Sequence, residues 1–308
     1  MFNLTHNNHY KHFIDGELFG VRTNKFQQYT TDVGTIDMDY YLKNDYNKER
    51  LRIAQLQYND LGSDLVLFVS GGLDSEIMVR SYVEQGLKPL CIIIKFNGDY
   101  NSGDVNEAVD LLTELEVAYK IIDFDVKEFY HSGRAAELAR EIQCELLPFL
   151  VFFDISRTLG VPTVLGGELL IEKYRIVNHA HEWVLRNFET YEAAHVRFSK
   201  IYNIPFVIEW FSYTPELMLY YLEHPRVKSI QLPTSPFLSI TPVKNQILRE
   251  IIPGLRKKSK GTGFENLKGL LHESKQMLGA LMPENIGDSH PYLTYKEVMI
   301  KLQGTEQC

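Results

Sequence analysis

The spacing of apolar and polar positions changes character twice along this chain. Over the first forty residues, short apolar runs are separated by turn residues. Tyr10-Lys-His-Phe-Ile14 is followed by Asp15-Gly16 and then by Glu17-Leu-Phe-Gly-Val21, and an Asp-Gly pair between apolar runs predicts a β-hairpin. Phe26 to Tyr29 and Val33 to Met38 predict one or two further short strands. Asn44 to Asn59 is polar, with Leu51, Ile53, Ala54, Leu56 and Tyr58 interspersed, which predicts an amphipathic helix.

From Leu65 the pattern alternates between buried strands and amphipathic helices. Leu65-Val-Leu-Phe-Val69 predicts the first core strand, and a helix follows over Asp74 to Gln85 with Gly86 as its stop. Pro89 to Lys95 is apolar on both faces, as a parallel strand is. Asp104 to Glu116 carries Val105, Ala108, Val109, Leu112 and Leu115 along one side. Tyr119 to Phe124 is a third strand, Phe129 to Ile142 and Leu146 to Leu159 are helices, and Val161 to Leu165 is a fourth strand. This order predicts an α/β fold with an open parallel sheet, helices on both faces and right-handed crossovers. After about residue 172 helical patterns dominate, rich in aromatics and broken by Pro225, Pro233, Pro236 and Pro242. The expected division is an N-terminal β-hairpin region with its leading helix over 1–60, an α/β domain over 61–172, and a helical cap or substrate part over 173–308.

Composition narrows the class. The chain has 308 residues, 44% hydrophobic and 23% charged, a balance that fills an ordinary core. Its apolar runs stay below the roughly 18 residues of a membrane span. The polar start, Met1 to Tyr10, has no apolar signal region, so a cytoplasmic protein is expected. Cys91, Cys144 and Cys308 are far apart, which argues against a zinc site or a disulfide framework. The net charge of −8 makes a nucleic acid an unlikely but not excluded partner. A small-molecule substrate fits better, and oligomeric state has no handle in the sequence.

The chemistry concentrates at Ser70-Gly-Gly-Leu-Asp-Ser75, where a strand runs through a glycine turn into a helix. That layout aims backbone N–H groups and a helix dipole of roughly half a charge at an anion. Gly71 and Gly72 allow close backbone approach and positive φ. The loop has neither the Gly-Lys-Ser/Thr of a Walker A motif nor the Gly-x-Gly-x-x-Gly spacing of a dinucleotide fold. The end of the second strand, at Lys95 to Asp99, and Gly166-Gly167-Glu168 fall at the same carboxyl edge of the sheet, where open α/β sheets bind ligands.

The loop resembles the Ser-Gly-Gly-x-Asp-Ser signature of the PP-loop ATP pyrophosphatases, matching at Ser70, Gly71, Gly72, Asp74 and Ser75. Over roughly residues 60–272 the chain is similar to the synthetase domain of asparagine synthetase. Leu165-Gly-Gly-Glu168, Thr234-Ser-Pro-Phe-Leu238 and the basic run Lys257, Lys258, Lys260 and later Lys268 stand where that family has a glycine-rich acidic turn, a Thr-Pro-Phe-Leu-Asp segment and a late lysine. The turn at Gly166 lacks the family's Ser-Asp-Glu run, and Ser239 follows Leu238 where the family has Asp. A glutaminase domain of the N-terminal-nucleophile type is not expected, since residue 2 is Phe rather than Cys and the stretch before the loop is too short to hold one.

The resemblance implies an adenine nucleotide alpha-hydrolase-like fold that uses ATP and Mg²⁺. It implies an AMP-forming ligase that adenylates a carboxylate or carbonyl and passes it to ammonia or an amine. A PP-loop enzyme acting on tRNA or a nucleobase, and a non-catalytic adenine-nucleotide module, stay open as alternatives. In the ligase reading Ser70, Gly71, Gly72 and Ser75 hold the departing pyrophosphate, with Gly166 and Gly167 beside the nucleotide. Asp74 binds the metal, as an oxygen ligand suits Mg²⁺. Val69 and Ile94 offer backbone groups and apolar surface to adenine, with Lys95 near the ribose or phosphates. Lys260 is the expected catalytic cation, backed by Lys257 and Lys258 on the phosphates. Glu168, with Glu172 one helical turn further on, is left to metal, substrate or base work. Arg249 and Arg256 are expected to solvate a helix, or one of them to meet a substrate carboxylate.

Overall fold

The structure is a computed structural model that describes residues 11–18, 20–24, 26–167, 171–174, 182–185, 189, 193–207, 210–225, 241–256, 263–283 and 293–304. The Asp15-Gly16 turn joins β1 (Lys11–Ile14) to β2 (Glu17–Leu18), with both turn residues at positive φ, 49° and 80°, as a two-residue hairpin requires. β3 (Tyr29–Asp32) pairs antiparallel on the other side of β1. The expected strand over Val33–Met38 does not form. Asp37 instead caps α1 (Met38–Lys43), its side chain accepting the Tyr40 N–H, and a satisfied N-cap competes directly with extended backbone. Asp45 caps α2 (Tyr46–Leu61) in the same way, and Gly62 ends it at φ 92°.

Strands β4 (Val66–Phe68), β5 (Leu90–Phe96), β6 (Tyr119–Phe124) and β7 (Thr163–Leu165) form the parallel sheet anticipated from the pattern. Among the described residues it has five strands, because β10 (Phe206–Val207) pairs parallel with β7; the order is β10-β7-β4-β5-β6. Helices α3 (Leu73–Glu84), α4 (Ser102–Glu114), α5 (Val126–His131), α6 (Arg134–Ile142) and α7 (Leu147–Leu159) make the crossovers. The single helix expected over 129–142 is two, because Gly133 stands at φ 87° between them, and a left-handed residue interrupts the α-helical ladder.

Period-two burial divides the core. Leu65, Leu67, Val69, Cys91, Ile93 and Val164 face a cluster with α2, α3 and α4. Val66, Phe68, Ile92, Ile94 and Leu165 face the opposite cluster with α5, α6 and α7. A fully buried side chain of this kind contributes about 1.5–3 kcal/mol.

The later segments feed both cores. α9 (Pro215–Leu222), α10 (Thr241–Ile251) and α12 (Tyr295–Gln303) join the first cluster. α8 (Ala194–Tyr202) and α11 (Lys268–Gly279) join the second. Beyond the helices, β8 (Ile171–Tyr174), β9 (Glu182–Leu185) and β11 (Leu293–Thr294) form an antiparallel sheet in order β11-β9-β8. Glu172 therefore lies on a strand rather than one helical turn past Glu168, and Glu168 itself falls outside the described residues.

Candidate functional site

The strand order places a switch point between β4 and β7. The chain runs from β4 outward through β5 to β6, then returns to the other side of β4. The carboxyl ends of β4 and β7 therefore diverge into a crevice, the place where open α/β sheets bind ligands. A cavity of about 400 Å³ opens there, a size that suits a small ligand. Its walls are mostly apolar, with Phe149 and Phe152 from α7, Phe68, Ile94 and Leu165 from the sheet, and Phe264 from the late segment. The polar positions are Ser70, Asp74, Ser75, Asn101 and Asp104, with Gly166 and Gly167 at the rim.

The loop after β4 is tied to itself. The Ser70 N–H donates to Ser75 Oγ at 3.3 Å, the two serine hydroxyls lie 3.1 Å apart, and the Gly72 N–H donates to Ser70 Oγ at 3.4 Å. Gly72 caps α3 with extended backbone, φ −71°, so it does not use the left-handed freedom expected of it. Gly71 does, at φ 70°, and its bare Cα has a second reason. A Cβ there would lie 2.7 Å from both Ala108 N and Asp104 O on α4. The close approach at Gly71 is thus made by helix α4. Gly166 is similarly constrained, for its Cβ would meet Asp74 C and Ser75 N at 3.1 Å. The end of β7 and the start of α3 are thereby held in contact.

Asp74 sits in the first turn of α3, where the dipole favours a carboxylate. Its partner is one the sequence pattern did not single out. Lys244 Nζ lies 3.0 Å from Asp74 Oδ1 and 2.9 Å from Oδ2. The lysine side chain is 5% exposed and the aspartate 29%. A signal for Lys244 was present. Pro242 marks the first turn of a helix, and Lys244 shares the i, i+3, i+4, i+7 stripe of Ile247, Leu248 and Ile251. A lysine inside an apolar stripe needs an anionic partner. Behind this pair, burial pushes the Tyr46 hydroxyl well above its ordinary pKa, with Tyr221 and Asp74 adding to the effect.

The other expected residues are distributed unevenly. Val69 and Ile94 line the cavity, but the Val69 N–H already donates to Ile92 O, and Ile94 O accepts from Asn101 Nδ2 at 2.8 Å. They offer apolar surface more than backbone groups. Asn101 also accepts the Phe96 N–H at 2.8 Å, so its amide clamps the end of β5. The Lys95 side chain turns to Asp99 at 3.4 Å and is 40% exposed; it is not among the cavity-lining residues. Lys257, Lys258 and Lys260 fall outside the described residues. Lys268 begins α11.

The residues flanking that lysine run are held firmly. The Arg256 N–H donates to the buried Glu76 carboxylate at 3.2 Å, and its guanidinium donates to Glu107 O and pairs with Glu114. Arg256 is therefore a tether to α3 and α4 rather than a solvated helix residue. Gly263, at φ 77°, packs on Asn101, and Phe264 stacks edge-on to Phe96 with centroids 4.8 Å apart.

No family model and no curated protein matches the chain. Among solved structures it is similar to an NH3-dependent NAD synthetase from Campylobacter jejuni, with 15% identity, 79% of this chain and 98% of that chain covered, and a TM-score of 0.32. It is also similar to an NMN synthetase from Francisella tularensis, at 12% identity, 74% and 92% coverage and a TM-score of 0.31. A predicted subunit of tRNA methyltransferase from Methanocaldococcus jannaschii gives 16% identity, 51% and 73% coverage and a TM-score of 0.31. Likenesses of this size carry nothing about activity.

Proposed function

We propose that the chain is an AMP-forming ligase of the PP-loop ATP pyrophosphatase kind. The observation that carries this reading is the Ser70–Ser75 loop. It joins β4 to α3 at the mouth of an apolar cavity, with Asp74 at the helix start and both serine hydroxyls turned into the loop. Adenine fits the slot between Phe149, Phe152 and Phe264, where aromatic faces give stacking surface. Ser70, Gly72 and Ser75, with the α3 dipole, receive the negative charge that grows on departing pyrophosphate. Gly71 and Gly166 keep α4 and β7 close enough to form the cradle, and Gly167 completes its rim.

Magnesium is bound by one or two protein carboxylates together with substrate phosphates. Asp74, with Asp104 lining the same cavity, fits that need. Asp74 is the residue to hold the ion, which when bound supplies charge neutralisation to the phosphates. Lys95, Lys257, Lys258 and Lys260 remain candidate phosphate contacts, with Lys260 the candidate catalytic cation. Glu168 and Glu172 remain candidates for the acceptor side.

In the proposed reaction a substrate carboxylate (or carbonyl) oxygen attacks the α-phosphorus. The O–P bond forms as the bond to the β-phosphate bridging oxygen breaks, and pyrophosphate leaves. Ammonia or an amine then attacks the activated carbon, loses a proton, and AMP departs with the electrons of the C–O bond. The asparagine synthetase-like version of this chemistry takes an amino-acid carboxylate as acceptor. A nucleic-acid modifier would be expected to lead a basic groove to the loop, and among the described residues lining the cavity there is no lysine or arginine.

The test is direct. The protein is incubated with ATP, Mg²⁺, ammonium and pooled carboxylic acids, and the products are separated by mass spectrometry. AMP and pyrophosphate in equal amounts are expected, and Asp74→Ala should abolish them. ADP as the sole nucleotide product would sink the reading.

A further inference from the structure

Strand β5 outruns β4 at the carboxyl edge of the sheet. Its odd-numbered residues turn their backbone toward β6, where the Cys91 N–H donates to Ala118 O and the Asn97 N–H to Phe124 O. Its even-numbered residues turn toward β4, where Ile92 O accepts the Val69 N–H. After Val69 the chain leaves for the Ser70–Ser75 loop, so Ile94 O and Phe96 N–H have no strand beside them, at two residues that line the cavity. A buried acceptor and donor so placed need partners. Asn101 supplies both: Nδ2 donates to Ile94 O and Oδ1 accepts the Phe96 N–H, each at 2.8 Å. Chemistry fixes the sense of that amide, since its nitrogen only donates and its oxygen only accepts. A donor beside an acceptor is also what adenine presents on its Watson–Crick edge.

We propose that Asn101 sets base selectivity by occupying this backbone pair. The base between Phe149, Phe152 and Phe264 is then held by its faces, and its edge goes unread. This rests on the ATP-site reading above and deepens it by stating what the site recognises of the nucleotide. Stacking accepts any base, because every base has a π-face, so the site is tolerant of the base. Asn101 stays in place for three reasons. It is the N-cap of α4, its O accepting the Val105 N–H at 3.0 Å, yet its side chain makes no capping bond; a residue type suited to capping serves the strand instead. Gly263 lies against it, for a Cβ there would be 2.8 Å from Asn101 Cα, and Asn266 Nδ2 fastens the same late segment to Tyr100 O at 2.7 Å. A base that displaced the amide would also break two buried hydrogen bonds to make two, with no net gain.

The test uses the 308-residue chain with Mg²⁺ and two ligands followed by calorimetry. These are the α,β-methylene triphosphates of adenosine and of purine riboside, which lacks the 6-amino donor. The unmodified protein should bind the two within about twofold of each other. Asn101→Ala vacates Ile94 O and Phe96 N–H, and should bind the adenosine ligand about tenfold tighter than the other, the worth of one or two hydrogen bonds. Loss of a merely structural clamp would weaken both ligands alike and leave their ratio unchanged. That result, or an adenosine preference of about tenfold already present in the unmodified protein, overturns the proposal. If Asn101→Ala does not fold, the ratio in the unmodified protein decides alone. Base tolerance in a protein that forms no AMP or pyrophosphate from ATP would retain the Asn101 assignment and remove the ligase reading. An adenosine preference in a protein that does form them would do the reverse. Failure to bind either ligand would remove both.

Discussion

The Asp74–Lys244 pair and the triad of Arg22, Glu189 and Arg197 are built from the same chemistry and set in opposite surroundings. In the triad, Arg22 donates to both Glu189 oxygens, Nη2 to Oε2 at 2.7 Å, and Arg197 Nη2 donates to Oε1 at 3.0 Å. All three side chains are 1% exposed or less. Burial holds the Arg197 pKa below its ordinary value despite Glu189. Its charges come from segments far apart in sequence, and the group is closed on every side. The Asp74–Lys244 pair is closed on the lysine side and open on the aspartate side. A closed group can only stabilise or destabilise the fold. A half-open one can trade partners with a ligand.

That contrast is sharpest under mutation. Glu189→Gln removes the carboxylate charge shared by two buried guanidiniums and should cost about 4 kcal/mol of stability by chemical denaturation. Asp74→Asn should cost less, about 2 kcal/mol, since water reaches the carboxylate even though Lys244 stays buried, while removing AMP formation. Equal losses of stability at the two sites would erase the distinction.

Gly71→Ala tests whether the loop is held by packing. A Cβ 2.7 Å from two backbone atoms of α4, on a residue at φ 70°, should cost about 2 kcal/mol or more. A variant as stable as the parent would show that α4 yields.

A smaller effect separates the regions by pH. His12 lies on β1 of the N-terminal sheet, its Nδ1 2.6 Å from the Tyr29 hydroxyl and its ring edge-on to His195 at 6.2 Å. Burial, then His195 and Arg197, holds its pKa well below 6.5. The unfolded chain takes up a proton at His12 near pH 6.5 that the folded chain refuses. Stability is therefore full above that pH and should fall as pH drops below it, by up to about 1.4 kcal/mol per unit. Melting curves of the parent and His12→Gln between pH 7.5 and 5.5 should converge in slope only if another group carries the effect.

Lys95→Ala should change stability by no more than about 0.5 kcal/mol, because its bond to Asp99 is exposed. A tenfold loss of ATP affinity in that variant would place Lys95 on the ligand in spite of its present partner.

Much of the sheet was legible in the sequence because each parallel strand there is a short apolar run ended by glycine or a charged turn. Tyr119–Phe124 coincides with β6, and Leu90–Phe96 differs from the expected strand by one residue at each end. Phe206–Val207 was not legible, since two residues show no period and only the open edge of β7 makes them a strand. The sheet of β8, β9 and β11 was hidden for a related reason. Its outer strand pairs Leu293 with Leu185 across more than a hundred residues.

By itself, the sequence determined the Ser70–Ser75 loop. Strand, glycine turn and helix are neighbours in the chain, and their backbone geometry follows from local residue type. Tertiary structure alone decided what faces the loop. Lys244 meets Asp74 across 170 positions, Gly71 is pressed by α4, and Asn101 takes up the backbone groups at the end of β5. Those contacts are set by how helices pack on the sheet, which a local pattern does not encode.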